Sequence, residues 1–103
     1  MYEHLDVDFS DIDFEWNGEK EKLNFRKHGI HFKTAAKVFL DSNALIRVDE
    51  EHLQEHRYNV LGKVGRVLFV VCVFKDTKAI RIISARLATK HEKERYEYGK
   101  TEY

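Results

Sequence analysis

Three arginines, Arg57, Arg81 and Arg86, fall in or at the ends of segments rich in β-branched and aromatic residues. A guanidinium holds a phosphate through two parallel N–H···O bonds and keeps its charge throughout a reaction, so three of them on one sheet suit a phosphate-ester substrate. Taken singly, each is equally an ordinary solvent-facing strand residue that adds little stability. Spacing sets a condition. Arg81 and Arg86 are five apart and point to opposite faces of an unbroken strand, whereas Ser84 and Arg86 share a face. Both arginines meet one pocket only if a bulge or the strand end intervenes. A second cluster is Lys27-His28-Gly29. There an imidazole could exchange a proton near neutral pH while the ammonium steadies phosphate charge. The plainer reading is a cationic helix end facing unpaired carbonyls.

Metal chemistry has weaker support. His52 and His56 are spaced i, i+4 and His28 and His31 i, i+3, intervals that place two imidazoles on one helical face. Yet Asp49 to His56 has the composition of a polar inter-strand loop, and no His-Glu-x-x-His pattern occurs. The aspartates at 6, 8, 11 and 13 alternate with apolar residues and suit the wet face of an edge strand better than a cation site. No metal and no cofactor is therefore expected. Tyr96, Tyr98 and Tyr103 could stack on bases, although such tyrosines more often pack a helix onto its sheet.

The elements that must carry these residues follow from periodicity. Alternation from Leu5 to Trp16, shifted in phase near Ser10, predicts extended chain with one edge strand. Asn17 as cap and Gly29 at the left-handed C′ position bound a helix from Gly18 to His28. A shorter helix is expected from Lys33 to Leu40. The period then changes to two: Ala44–Val48, Arg57–Leu61, Arg66–Phe74 and Ala79–Leu87 are strand segments. Gly62 to Gly65 and Lys75 to Lys78 supply turns short enough for an antiparallel meander. Val67 to Phe74 is apolar on both faces and should be central. Thr89 and Glu92 form a capping box ahead of a helix from Lys90 to about Tyr98. The class is α+β: two N-terminal helices and a C-terminal helix on a mainly antiparallel sheet of about four to five strands.

At 103 residues, 43% hydrophobic and 35% charged, the chain fits one domain. Formal charge is zero, but it is unevenly spread. Residues 1 to 19 carry seven acids and no Lys or Arg, whereas Arg57 to Arg95 holds ten Lys or Arg against three acids. An acidic extension over residues 1–12 thus precedes a basic body. The single Cys72 excludes an internal disulfide and points to a reducing, cytoplasmic compartment. The longest apolar run, Val67 to Phe74, is far short of a membrane span. No basic-then-apolar leader opens the chain, so an unprocessed protein is expected.

Taken together, the segments Phe14-Glu15-Trp16-Asn17, Lys20, Asn24, Lys27-His28-Gly29-Ile30-His31-Phe32, Ala35-Ala36, Val38-Phe39, Arg57-Tyr58 before Leu61-Gly62, and Arg81-Ile82-Ile83-Ser84-Ala85-Arg86 with Ala88, Glu92, Arg95 and Tyr96 resemble the BrnT family of bacterial type II toxins. The resemblance spans roughly residues 14–97, within which Asn17 replaces the usual Asp and His31 a usual Ser that would start the second helix. It implies a RelE-like fold, a cytoplasmic ribonuclease that arrests translation, and a BrnA-type ribbon-helix-helix antitoxin forming a heterotetramer that contacts DNA through the antitoxin. No membrane is involved. The expected chemistry is metal-independent: the ribose 2′-hydroxyl attacks the adjacent phosphorus and the 5′-oxygen leaves. Arg57, Arg81 and Arg86 would neutralise the phosphorane, Lys27 would hold a flanking phosphate and His28 would move the proton. The alternative is a non-catalytic basic module that binds RNA or an acidic protein segment.

Overall fold

A computed structural model of the chain describes every residue except Val7, Thr77, Glu102 and Tyr103, and every helix and strand side chain except those of Asp76, Gly99, Lys100 and Thr101. The candidate stacking residue Tyr103, part of the Lys75 to Lys78 turn and the middle of the Leu5 to Phe9 alternation thus lie outside the described residues. The elements are β1 (Glu3–His4), β2 (Asp13–Glu15), α1 (Gly18–His28), α2 (Phe32–Ala35) tightening into a 3-10 helix (Ala36–Leu40), β3 (Leu45–Val48), a 3-10 loop (Glu50–Glu55), β4 (Arg57–Val64), β5 (Arg66–Asp76), β6 (Ala79–Leu87) and α3 (Lys90–Thr101). They form one six-stranded sheet ordered β1-β3-β4-β5-β6-β2.

Six strands exceed the four to five expected, and the difference lies in the first fifteen residues. The phase shift near Ser10 separates two short strands placed at opposite margins of the sheet. β1 pairs antiparallel with β3, and β2 runs parallel to β6. Between them Leu5 and Phe9 turn inward and are buried, while Asp6, Asp8 and Asp11 stay exposed. The acidic segment is therefore built into the sheet.

Local chemistry explains the helix ends. Asn17 Oδ1 accepts from the Glu19 and Lys20 amides at 2.9 and 3.1 Å, and Gly29 closes α1 with φ 73°. His31 supplies no side-chain cap to α2. Glu21, reaching across from α1, accepts the Phe32 amide at 3.0 Å instead. Gly62 is not the turn residue its position suggested. It lies inside β4, where a Cβ would stand 2.6 Å from that of Val38, so the 3-10 helix can approach only over a glycine. Gly65, φ 74°, makes the turn.

One face of the sheet is covered by α1, α2 and the 3-10 helix, with Phe32, Ala35, Val38, Val60, Val70 and Cys72 fully buried. Asn24 of α1 is buried against this layer, its amide donating to the Ile30 and Ala85 carbonyls and its Oδ1 accepting from the Ala85 amide. The opposite face carries a smaller cluster built from Tyr2, Leu45, Leu61, Val67, Phe69, Val71 and Tyr96. Tyr96 packs α3 onto it as expected and donates to Asp41 Oδ2 at 2.6 Å. Burial, reinforced by that carboxylate, pushes its hydroxyl well above the usual range, so it remains a donor. The Thr89 and Glu92 capping box closes reciprocally at 3.2 and 2.8 Å. No helix among the described residues is long and apolar enough to cross a membrane.

Candidate active site

The condition set by the spacing of Arg81 and Arg86 is met by a bulge. Val71 pairs with Ser84 but Cys72 pairs with Ile82, leaving Ile83 as an extra residue in β6. The inserted residue reverses parity, so Arg81 opposite Val73 and Arg86 opposite Phe69 point to the same side. On β4, Arg57 faces Val73 and Asn59 faces Val71; on β3, Arg47 faces Asn59. Four guanidiniums from three strands therefore share the sheet face that α3 only partly covers.

Beside α3 this face opens into a cavity of about 600 Å³ whose lining includes Arg47, Asp49, His52, Arg57, Asn59, Ser84 and Arg86. Arg47 donates through Nε to Asn59 Oδ1 at 3.0 Å, with its guanidinium 4.6 Å above the Tyr2 ring. Burial pushes the Tyr2 hydroxyl up to about 12, which keeps it neutral beneath that cation. Arg57 pairs with Glu55. Arg86 is not the loosely held cation expected of a strand surface. It grips both Glu92 oxygens at 2.8 and 3.0 Å and lies 4.0 Å over the Phe69 ring, which ties it to the start of α3. Arg81 stands on the same face towards the β2 margin, half exposed and 3.7 Å from Glu15, which also meets Lys75 at 3.4 Å.

Across the cavity, Asp49 follows β3 and donates its amide to the Arg57 carbonyl, 2.9 Å away. Its Oδ1 accepts from the Glu51 amide at 3.0 Å and its Oδ2 faces His52 Nδ1 at 3.1 Å. Burial alone would raise the Asp49 carboxyl, but the hydrogen bonds from His52 and the Glu51 amide outweigh it and hold the group below the usual carboxylate range. Asp49, Glu51 and His52 bring three possible metal-ligand atoms within 4.8 Å of one another. Both Asp49 oxygens are already engaged by the Glu51 amide and His52, while Arg47, Arg57 and Arg86 share the cavity with Asp49, Glu50 and Glu51. Of the histidines paired by spacing in the sequence, His52 enters the group with Asp49 and Glu51 but without His56, and His28 and His31 enter no group of three donors among the described residues.

The five candidate residues are divided by the sheet. Arg57, Arg81 and Arg86 share the α3 face, whereas Lys27 and His28 belong to the last turn of α1 in the opposite layer. Lys27 is exposed, and His28 lines a separate, more apolar cavity of about 320 Å³ with Ile30, Leu68 and Leu87. The sequence gives little sign of a site at Arg47, Asp49 and His52, because Arg47 stands alone in its strand and the i, i+4 spacing pairs His52 with His56. The available signal was Asp49-x-x-His52 at a strand end, a capping aspartate followed by an imidazole that folds back onto it.

The chain matches, over residues 16–92, the family described as ribonuclease toxin, BrnT, of type II toxin-antitoxin system. That span contains all four arginines and the Asp49–His52 pair; β1 precedes it. Among curated proteins no sequence matches the chain. Among solved structures the fold is similar to that of the Brucella abortus ribonuclease toxin, BrnT, with a TM-score of 0.63 and 22% identity over 77% of this chain and 99% of that one. A family match spanning three quarters of the sequence, joined to a shared α+β architecture, places the chain in the BrnT family of ribonuclease toxins of type II toxin–antitoxin systems.

Proposed function

We propose that the arginine face is the RNA-cleaving surface of a single-domain, RelE-like toxin that cuts RNA without a metal and thereby stops translation. The observation that carries this reading is the β6 bulge, which gathers Arg81 and Arg86 onto the face of Arg47 and Arg57. Arg47, Arg57 and Arg81 hold the RNA backbone, and Arg86 adds charge from a fixed position. As the 2′-hydroxyl attacks the neighbouring phosphorus, these cations offset the negative charge that grows on the phosphorane oxygens. Protein cations take the place of magnesium, and the Asp49 carboxylate is already engaged by the Glu51 amide and His52. DNA, which lacks the 2′-hydroxyl, is spared. In this reading Lys27 and His28 do not meet the scissile phosphate. The antitoxin is of the BrnA type, its ribbon-helix-helix dimer linking two toxins into a heterotetramer and contacting DNA.

Total bacterial RNA incubated with purified protein in excess EDTA tests the proposal. Cleavage should persist and leave 2′,3′-cyclic phosphate ends, and Arg57→Gln and Arg81→Gln should each slow it by about 100-fold with folding retained. Binding without turnover by the wild type would instead identify a non-catalytic RNA-binding module. Activity lost in EDTA and restored by magnesium would overturn the metal-free mechanism.

A further inference from the structure

We propose that His52 is the proton-transfer residue of this face and that Asp49 is the positioning residue that sets its tautomer. The inference rests on the ribonuclease reading above and deepens it. Arginines stabilise charge but cannot accept a proton at neutral pH, so cleavage through a 2′-hydroxyl needs a base beside them. His52 is the histidine that lines the arginine cavity.

The loop is built to hold the ring. Asp49 is anchored to β4 through its amide, caps the Glu50–Glu55 turn with one oxygen and receives His52 Nδ1 with the other. The carboxylate side chain is 12% exposed and the imidazole 42%, so the orienting group is sheltered while the ring remains accessible. An ionised carboxylate only accepts hydrogen bonds, so Nδ1 carries the ring proton and Nε2 presents its lone pair. Nε2 has no protein partner among the described residues. The charged side chains sharing the cavity are Arg47, Asp49, Glu50, Glu51, Arg57 and Arg86, drawn from β3, the loop, β4 and β6.

The step balances without a further reagent. Nε2 takes the proton of the 2′-hydroxyl as its oxygen bonds to phosphorus. The bond from phosphorus to the 5′-oxygen breaks, leaving a 2′,3′-cyclic phosphate, and the departing oxygen takes a proton from water. The imidazolium then returns its proton to the hydroxide so formed.

Three variants of the full chain test the assignment against total bacterial RNA, with folding checked by circular dichroism. His52→Gln should slow cleavage by about 100-fold or more and remove the acid limb of the pH–rate profile. Its affinity for a non-cleavable 2′-O-methylated RNA should stay within about twofold of wild type, because the arginines bind the backbone. Asp49→Asn keeps the helix cap but removes the negative charge, so it should slow cleavage by about tenfold and move the acid limb to lower pH. His56→Asn, in the same loop but outside the cavity, should cleave as wild type does. Wild-type cleavage with an equally active His52→Gln overturns the assignment alone. A wild type that binds RNA but never cuts it overturns the ribonuclease reading and the assignment with it. Loss of activity in His56→Asn equal to that in His52→Gln would mean that the loop, and not the imidazole, is what matters.

Discussion

The two faces of the sheet are made by alternate residues of the same strands, yet they differ in character. On the helix side Val60, Val70 and Cys72 are fully buried, and burial pushes the Cys72 thiol up to about 12, leaving it inert. On the other side, Arg57, Asn59 and Val71 look towards a cavity lined by three arginines and three carboxylates. A strand with period two can thus give one set of side chains to the main core and divide the other between a smaller apolar cluster and a polar cavity. One inserted residue exchanges the sets, and at Ile83 this exchange is what moves Arg81 onto the face of Arg57 and Arg86.

The largest test of this division lies in the core. Phe32→Ala, at a fully buried site of α2 within the helix layer, should lose about 3–5 kcal/mol of unfolding free energy in urea titration. Cleavage per folded molecule should hardly change, and a loss of activity at unaltered stability would show that the faces are coupled. Next comes Gly62→Ala, whose new methyl would press on Val38 and should cost about 1–3 kcal/mol by overpacking. A neutral result would mean that the 3-10 helix is free to retreat. The smallest effect belongs to the arginine face. Burial would raise the Glu92 carboxyl, but the Arg86 fork and the Thr89 amide outweigh it and hold the group below its ordinary 4.5. A lowered folded-state value stabilises above that ordinary value and is lost as pH falls through the folded one. Glu92→Gln should therefore lower Tm at pH 7 by the equivalent of about 1 kcal/mol or less, and the gap from wild type should close as the pH is taken below 4.5. A gap independent of pH would remove charge from the explanation.

Much of this arrangement is legible in the sequence where a single residue type has a local reason to be where it is. Asn17 and Gly29 bound α1 at both ends, Thr89 and Glu92 start α3, and the runs of β-branched residues mark the meander. The need for a bulge between Arg81 and Arg86 is legible too, although its position at Ile83 is not, since no glycine marks it. What stays hidden depends on partners distant in sequence. Two-residue β1 is a strand only because β3 lies beside it, Gly62 is small because of Val38, and Glu21 caps a helix eleven residues away. The Asp49–His52 pair belongs to the same class, its meaning supplied by arginines on three strands. Lys27 and His28 drew attention through their chemistry, but which layer they occupy is decided by how α1 packs.

Asn24 has a consequence for how the molecule meets others of its kind. β2 shields only Ala79 to Arg81 of β6, so the rest of that strand lies on the sheet's margin. At Ala85 both outward backbone groups are held by the carboxamide of Asn24, which occupies the slot a neighbouring chain would use. An incoming strand would have to expel a buried side chain and leave its amide without partners. At Ala85 the margin is thereby closed to the backbone of a seventh strand.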